Sequence, residues 1–125
     1  MMAMRMQGEK TISVAGWGNV PRAECAAFRP EQPGQLGESV TADEQTRLAR
    51  GQGRAYGDAA LNPQGLILME RLARLLSFDE AQGILSAQAG VTLADIMTFA
   101  VPKGWMLPIV PGTQKASLGG AIACN

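Results

Sequence analysis

Arg50-Gly51-Gln52-Gly53-Arg54-Ala55-Tyr56-Gly57-Asp58 decides how this chain is read. It follows the short apolar run Leu48-Ala49 and is followed by Ala59. Glycine accepts positive φ and lets another backbone or a ligand approach closely. Successive unpaired N–H groups in such a turn form a concave nest for anions. Arg50 and Arg54 add forked, permanently charged donors. A phosphate or diphosphate is the simplest ligand for this combination. The spacing is not that of the dinucleotide fingerprint GxGxxG: the third glycine comes one residue late, and Tyr56 is bulky where a helix would pack on a strand. No GK[ST] follows, so it is not a P-loop either. Alone, the stretch reads as a structural turn as readily as a phosphate site.

A second cluster shifts that balance. Pro111-Gly112-Thr113 and Ser117-Leu118-Gly119-Gly120 again expose backbone around small residues, now just before a helix start. The first turn of a helix carries partial positive charge and unsatisfied N–H groups. Two such segments on one sheet would hold the two halves of a diphosphate. For Gly119-Gly120, close helix packing is the competing explanation.

Composition narrows the classes. The chain has 125 residues, 46% of them hydrophobic, which suits one globular domain with a real core. Eleven basic and eleven acidic residues cancel, against a general nucleic-acid surface. No run of about 18 apolar residues is present, so no membrane span is expected, and Met1-Met2-Ala3-Met4-Arg5-Met6 leads into no signal core. A cytoplasmic protein is expected. There is no histidine, and Cys25 and Cys124 have no CxxC or Cys/His spacing, so no metal site is expected. Both cysteines are expected reduced and partly buried. Without histidine the commonest general base is missing, and no catalytic residue is assigned.

The pattern along the chain is mixed. Residues 1–10 read as loose and 11–15 as a short strand, with a turn at Gly16-Trp17-Gly18-Asn19-Val20-Pro21. Residues 29–34 read as a loop before a short helix over 35–40, and 47–50 as a strand feeding the glycine loop. The apolar run 65–69 predicts a buried strand. A turn at 71–73, a strand to Phe78, a hairpin turn at 79–83 and a return strand over 84–89 follow. Thr92 and Asp95 form an approximate capping box for an amphipathic helix carrying Leu93, Ile96, Met97 and Ala100, stopped by Pro102-Lys103-Gly104. Trp105 to Leu107 is expected extended and 108–115 a loop. Ser117 is an N-cap candidate for a helix beginning Leu118-Gly119-Gly120-Ala121-Ile122-Ala123. The class is α+β, a mixed sheet with flanking helices. The last helix has barely begun at Cys124-Asn125, so the chain is expected to end inside a larger domain.

The glycine loop, Pro111-Gly112-Thr113 and Leu118-Gly119-Gly120-Ala121-Ile122-Ala123-Cys124 together resemble the vanillyl-alcohol-oxidase-type (PCMH-type) FAD-binding domain, and Gly16-Trp17-Gly18 resembles one of its subgroups of sugar oxidases. The likeness covers about Gly16 to Asn125. It implies a truncated FAD-binding type-2 domain of a flavoenzyme that oxidises a secondary hydroxyl, the subgroup favouring a polyprenyl-phosphate sugar. It implies that residues 49–59, Ala49 and Ala59 included, wrap the FAD diphosphate through backbone N–H groups, with Tyr56 toward the flavin. Gly112, Ser117, Leu118, Gly119 and Gly120 would complete the phosphate and ribityl contacts, and Cys124 and Asn125 would approach the isoalloxazine. Ala55 stands where the family usually has serine, so one hydroxyl contact is lost. The substrate domain would lie further on, so the chain by itself is expected to show no oxidase activity and little FAD binding. A truncated sheet is also expected to leave an unpaired edge that invites self-association. Trp17 and Trp105 are read as packing residues, Lys103 and Lys115 as solvated loop charges, and Asp58 as bonding within its own loop.

Overall fold

The computed structural model describes residues 6–41 and 44–124. Four strands make the main sheet: β1 (Lys10–Ala15), β2 (Arg22–Phe28), β3 (Leu48–Arg50) and β4 (Leu66–Leu68). Their order is β1-β2-β4-β3. β1 and β2 are antiparallel, while β4 lies parallel to both β2 and β3. β4 is buried at every position, as its unbroken Leu66-Ile67-Leu68 run requires of a central strand with both faces covered. The core of this sheet joins Cys25, Ala27, Leu66 and Leu68, with Ile12, Val14, Ala23 and Leu48 packed against it.

β2 is the element that sequence reading omits. Arg22-Ala23-Glu24-Cys25-Ala26-Ala27-Phe28 is rich in alanine and charge, and its β-propensity is poor. It is nonetheless central, because its small residues at 23, 25 and 27 pack into the core. Tertiary pairing on both sides overrides propensity here.

Between β2 and β3 lies α1 (Gly34–Thr41), close to the expected helix. A 3-10 turn over Met69–Arg71 leads to a second sheet, the antiparallel hairpin of β5 (Leu75–Asp79) and β6 (Ile84–Ala87). The hairpin turn sits where expected: Asp79 accepts from the N–H groups of Ala81 and Gln82 at 3.0 and 3.1 Å. Residues 105–107 lie in no helix or strand.

α2 (Leu93–Ala100) starts with a complete capping box. The Thr92 hydroxyl accepts from Asp95 N–H, and the Asp95 carboxylate accepts from Thr92 N–H, each at 3.2 Å. Pro102 then sits in a single 3-10 turn, Val101–Lys103, which Gly104 closes at φ +83°. α3 (Leu118–Cys124) follows. Val91, Leu93 and Ile96 form a second core with Leu85, Ala87, Leu107, Ala116, Leu118 and Ala121. This core ties α2 to the segment that leads into α3.

Both cysteines are free; Cys25 is buried, but Cys124 is exposed, against the expectation for it. The tryptophans are not core residues either. Trp17 is 50% exposed, and Trp105 lies over Gly83 while donating to the Glu80 carbonyl at 3.0 Å. Lys103 rests over the Phe99 ring, 5.1 Å from its centre. No helix among the described residues is long and apolar enough to cross a membrane.

Candidate functional site

β3 runs straight into the glycine loop at Arg50, and the Arg50 side chain folds back beneath it. Its Nη1 donates to the Ala60 carbonyl at 2.9 Å and its Nη2 to the Ala15 carbonyl at 2.8 Å. One guanidinium therefore ties the far end of the loop to the end of β1. Gly53 lies directly over this group: a Cβ there would sit 2.5 Å from Arg50 Nη2, and φ is +67°. Both facts demand glycine. Burial pushes the Arg50 pKa below its ordinary value, and attraction to Cys25 and Glu70 opposes that. An arginine stays cationic in either case, so a fixed positive charge lies under the loop.

The loop's own backbone donors take no part in these ties. Among the described residues, the N–H groups of Gly51, Gln52, Gly53, Arg54, Ala55, Tyr56, Gly57 and Asp58 meet no protein acceptor. The chain turns back on itself only afterwards, with Ala59 N–H to Tyr56 O at 3.4 Å and Leu61 N–H to Asp58 O at 2.9 Å. Unpaired amides in succession are the raw material of an anion nest. Asp58 enters through its carbonyl, not the side-chain bond expected of it.

A cleft of about 390 Å³ opens between the loop and the end of β1, with Gly16, Trp17, Arg22, Gln52, Gly53 and Arg54 in its wall. The Arg54 guanidinium stacks over the Trp17 ring, 4.9 Å from its centre. Its Nε is buried without a hydrogen-bond partner. Burying a donor unpaired is costly. Ser13, Asn19 and Arg22, with Arg22 donating to Asn19 Oδ1 at 2.6 Å, also reach this cleft, and sequence reading had not marked them. The turn Gly16-Trp17-Gly18-Asn19 was the available signal.

The two glycine clusters meet. Gly51 lies against the buried Ser117 side chain, whose hydroxyl occupies the space a Cβ at position 51 would need. Part of the second cluster is not open, however: its amides at 118–120 are taken. Leu118 N–H donates to Val91 O at 2.7 Å and Gly119 N–H to Ala89 O at 2.9 Å. Gly120 N–H donates to Ser117 Oγ at 3.2 Å, which makes Ser117 the N-cap of α3. The Leu118 and Gly119 donors are consumed because the segment pairs with the strand-like stretch before α2, Thr92 bridging Ser117. What this segment brings to the loop is the Ser117 hydroxyl and close packing, with Gly119 against Ala89.

The remaining candidates do not line this cleft. Ala49, Tyr56, Gly57, Asp58 and Ala59 are exposed, Tyr56 at 78%. Gly112 is exposed and faces open space. Cys124 is exposed at the end of α3, and Asn125 lies outside the described residues.

Known proteins match this sequence. The profile of a family described as FAD binding domain covers residues 26–125. Decaprenylphosphoryl-beta-D-ribose oxidase of Mycolicibacterium smegmatis is 37% identical over 120 residues, 92% of this chain and 26% of that protein. An uncharacterised FAD-linked oxidoreductase of Mycobacterium tuberculosis is 30% identical over 110 residues, 84% of this chain and 24% of its own length. The mitochondrial D-2-hydroxyglutarate dehydrogenase of Arabidopsis thaliana is 28% identical over 74 residues. The chain thus spans about a quarter of the length of its first two relatives, 26% and 24%.

Proposed function

This chain belongs to the FAD binding domain family, with FAD as its cofactor, and from that premise we propose that it is the diphosphate-gripping part of an oxidoreductase acting on a secondary alcohol of a sugar. The observation that carries the reading is the uninterrupted run of unpaired amides from Gly51 to Asp58 beside the half-buried Arg50 guanidinium. FAD contains a diphosphate, and this is the anion such a run suits.

The roles follow from the chemistry of each group. The amides of residues 51–58 would take the diphosphate oxygens, with Ala49 and Ala59 closing the segment at its two ends. Arg54 would supply a charged donor and Arg50 positive charge, its Nη1 and Nη2 each already tied to one carbonyl. Ser117, Leu118, Gly119, Gly120 and Gly112 would flank the ribityl chain through side chain and close approach, their N–H groups at 118–120 being committed elsewhere. Tyr56, Cys124 and Asn125 would lie toward the flavin ring. When bound, FAD accepts the two electrons that turn a carbinol into a ketone. The protein's share in this chain is to bind, orient and screen the charge of the diphosphate. No residue here is assigned to proton transfer.

A sugar carried on polyprenyl phosphate is the favoured substrate, because the 37% identical relative is named for such a compound. A D-2-hydroxy acid is the alternative that the D-2-hydroxyglutarate dehydrogenase relative supports. In the protein carrying this domain, anaerobic addition of a polyprenyl-phosphate ribose should bleach the flavin absorbance, and D-2-hydroxyglutarate should not. The reverse result replaces the substrate class. Titration with FAD, ADP and NADP tests the cofactor site itself: equal affinity for all three would reduce it to a general nucleotide module.

A further inference from the structure

We propose that Ala15-Gly16-Trp17, at the end of β1, is a positioning clamp that sets the glycine loop in its FAD-binding shape. The proposal rests on the FAD reading above and extends it to a segment that the family profile, which starts at residue 26, does not include.

Each residue of the clamp holds a different part of the loop. The Ala15 carbonyl accepts from Arg50 at the loop's start, 2.8 Å away. Trp17 N–H donates to the Ala55 carbonyl in its middle at 2.9 Å. The Trp17 ring carries the Arg54 guanidinium. Gly16 is buried where the chain passes Gly57: a Cβ at 16 would overlap the Gly57 carbonyl and lie 3.1 Å from that of Ala55. None of these contacts uses an N–H group of the loop from Gly51 to Asp58. The loop is held by its carbonyl and its arginines, and its amides are left to the ligand. Ordering a glycine-rich loop on binding would weaken affinity, and a clamp that orders it during folding removes that loss. The placement of Trp17 agrees: half exposed, it contributes to this stack and not to either hydrophobic core.

The test uses the full native chain and its Trp17→Ala, Trp17→Phe, Gly16→Ala and Gly18→Ala variants. The last is a control, since a Cβ at 18 meets nothing within 4 Å. Flavin fluorescence titration of the apoprotein should show Kd raised about tenfold or more by Trp17→Ala and Gly16→Ala, and changed less than about twofold by Trp17→Phe and Gly18→Ala. Limited tryptic digestion without flavin should show cleavage after Arg54 accelerated several-fold by Trp17→Ala, with cleavage after Arg22 and Lys103 unchanged. Wild-type-like Kd in both Trp17→Ala and Gly16→Ala overturns the clamp, as does acceleration spread evenly over all three sites. If Gly16→Ala does not fold, Trp17→Ala decides. A native protein that ignores FAD defeats the functional reading instead, and the digestion pattern still judges the clamp.

Discussion

Gly51 and Ser117 are neighbours: the serine hydroxyl fills the position that any side chain at 51 would take. The contact joins the start of the glycine loop to the N-cap of α3, and so brings the two sequence clusters onto one surface. Gly51→Ala should therefore force the loop away from α3 and destabilise the protein by about 1–3 kcal/mol, the range for overpacking a close contact. Ser117→Gly alone should cost only a few tenths of a kcal/mol, because glycine is a tolerable N-cap. In the double variant, much of the Gly51→Ala loss should return. Denaturant melts of the four proteins, read as a double-mutant cycle, measure it; additive losses would contradict the contact.

At Gly53 the demand is twofold, positive φ and the Arg50 guanidinium beneath. Gly53→Val should strain the loop by about 1–3 kcal/mol. If the loop grips the diphosphate, retained FAD should fall in step. Flavin absorbance per protein after gel filtration measures it, and unchanged flavin content would remove the loop from the cofactor site.

Thr92 and Asp95 cap α2 reciprocally. Thr92→Ala should destabilise by about 1 kcal/mol, as loss of an N-cap does. Thr92→Ser should retain most of the cap. Thermal melts that rank alanine and serine equally would show that the box contributes nothing.

β1 and β3 are the edges of the main sheet, each pairing on one side only among the described residues. We expect the 125-residue chain to self-associate through such an edge. Light scattering over a concentration series should show growth in mass, and Thr11→Lys on exposed β1 should suppress it. A strict monomer throughout would oppose this.

Local elements were legible wherever their cause lies within a few residues. The α2 cap needs only Thr92 and Asp95, and the β5–β6 turn only Asp79 and its next amides. The last helix needs Ser117 and the small residues after it. The candidate loop was legible for the same reason, since glycine spacing is a local property of the backbone. β2 was not, because its alanines become strand residues only between β1 and β4.

The sequence by itself determined where the glycine-rich turns lie and where α2 and α3 begin, since φ preference and capping act between near neighbours. The tertiary structure alone decided which amides stay open. Pairing of residues 116–119 with 89–93 consumed the donors of Leu118 and Gly119, while Arg50 and Trp17 held the loop through carbonyls and left the amides of residues 51–58 open. A hydrogen-bond donor's availability depends on what folds against it, and those partners lie far away in the chain.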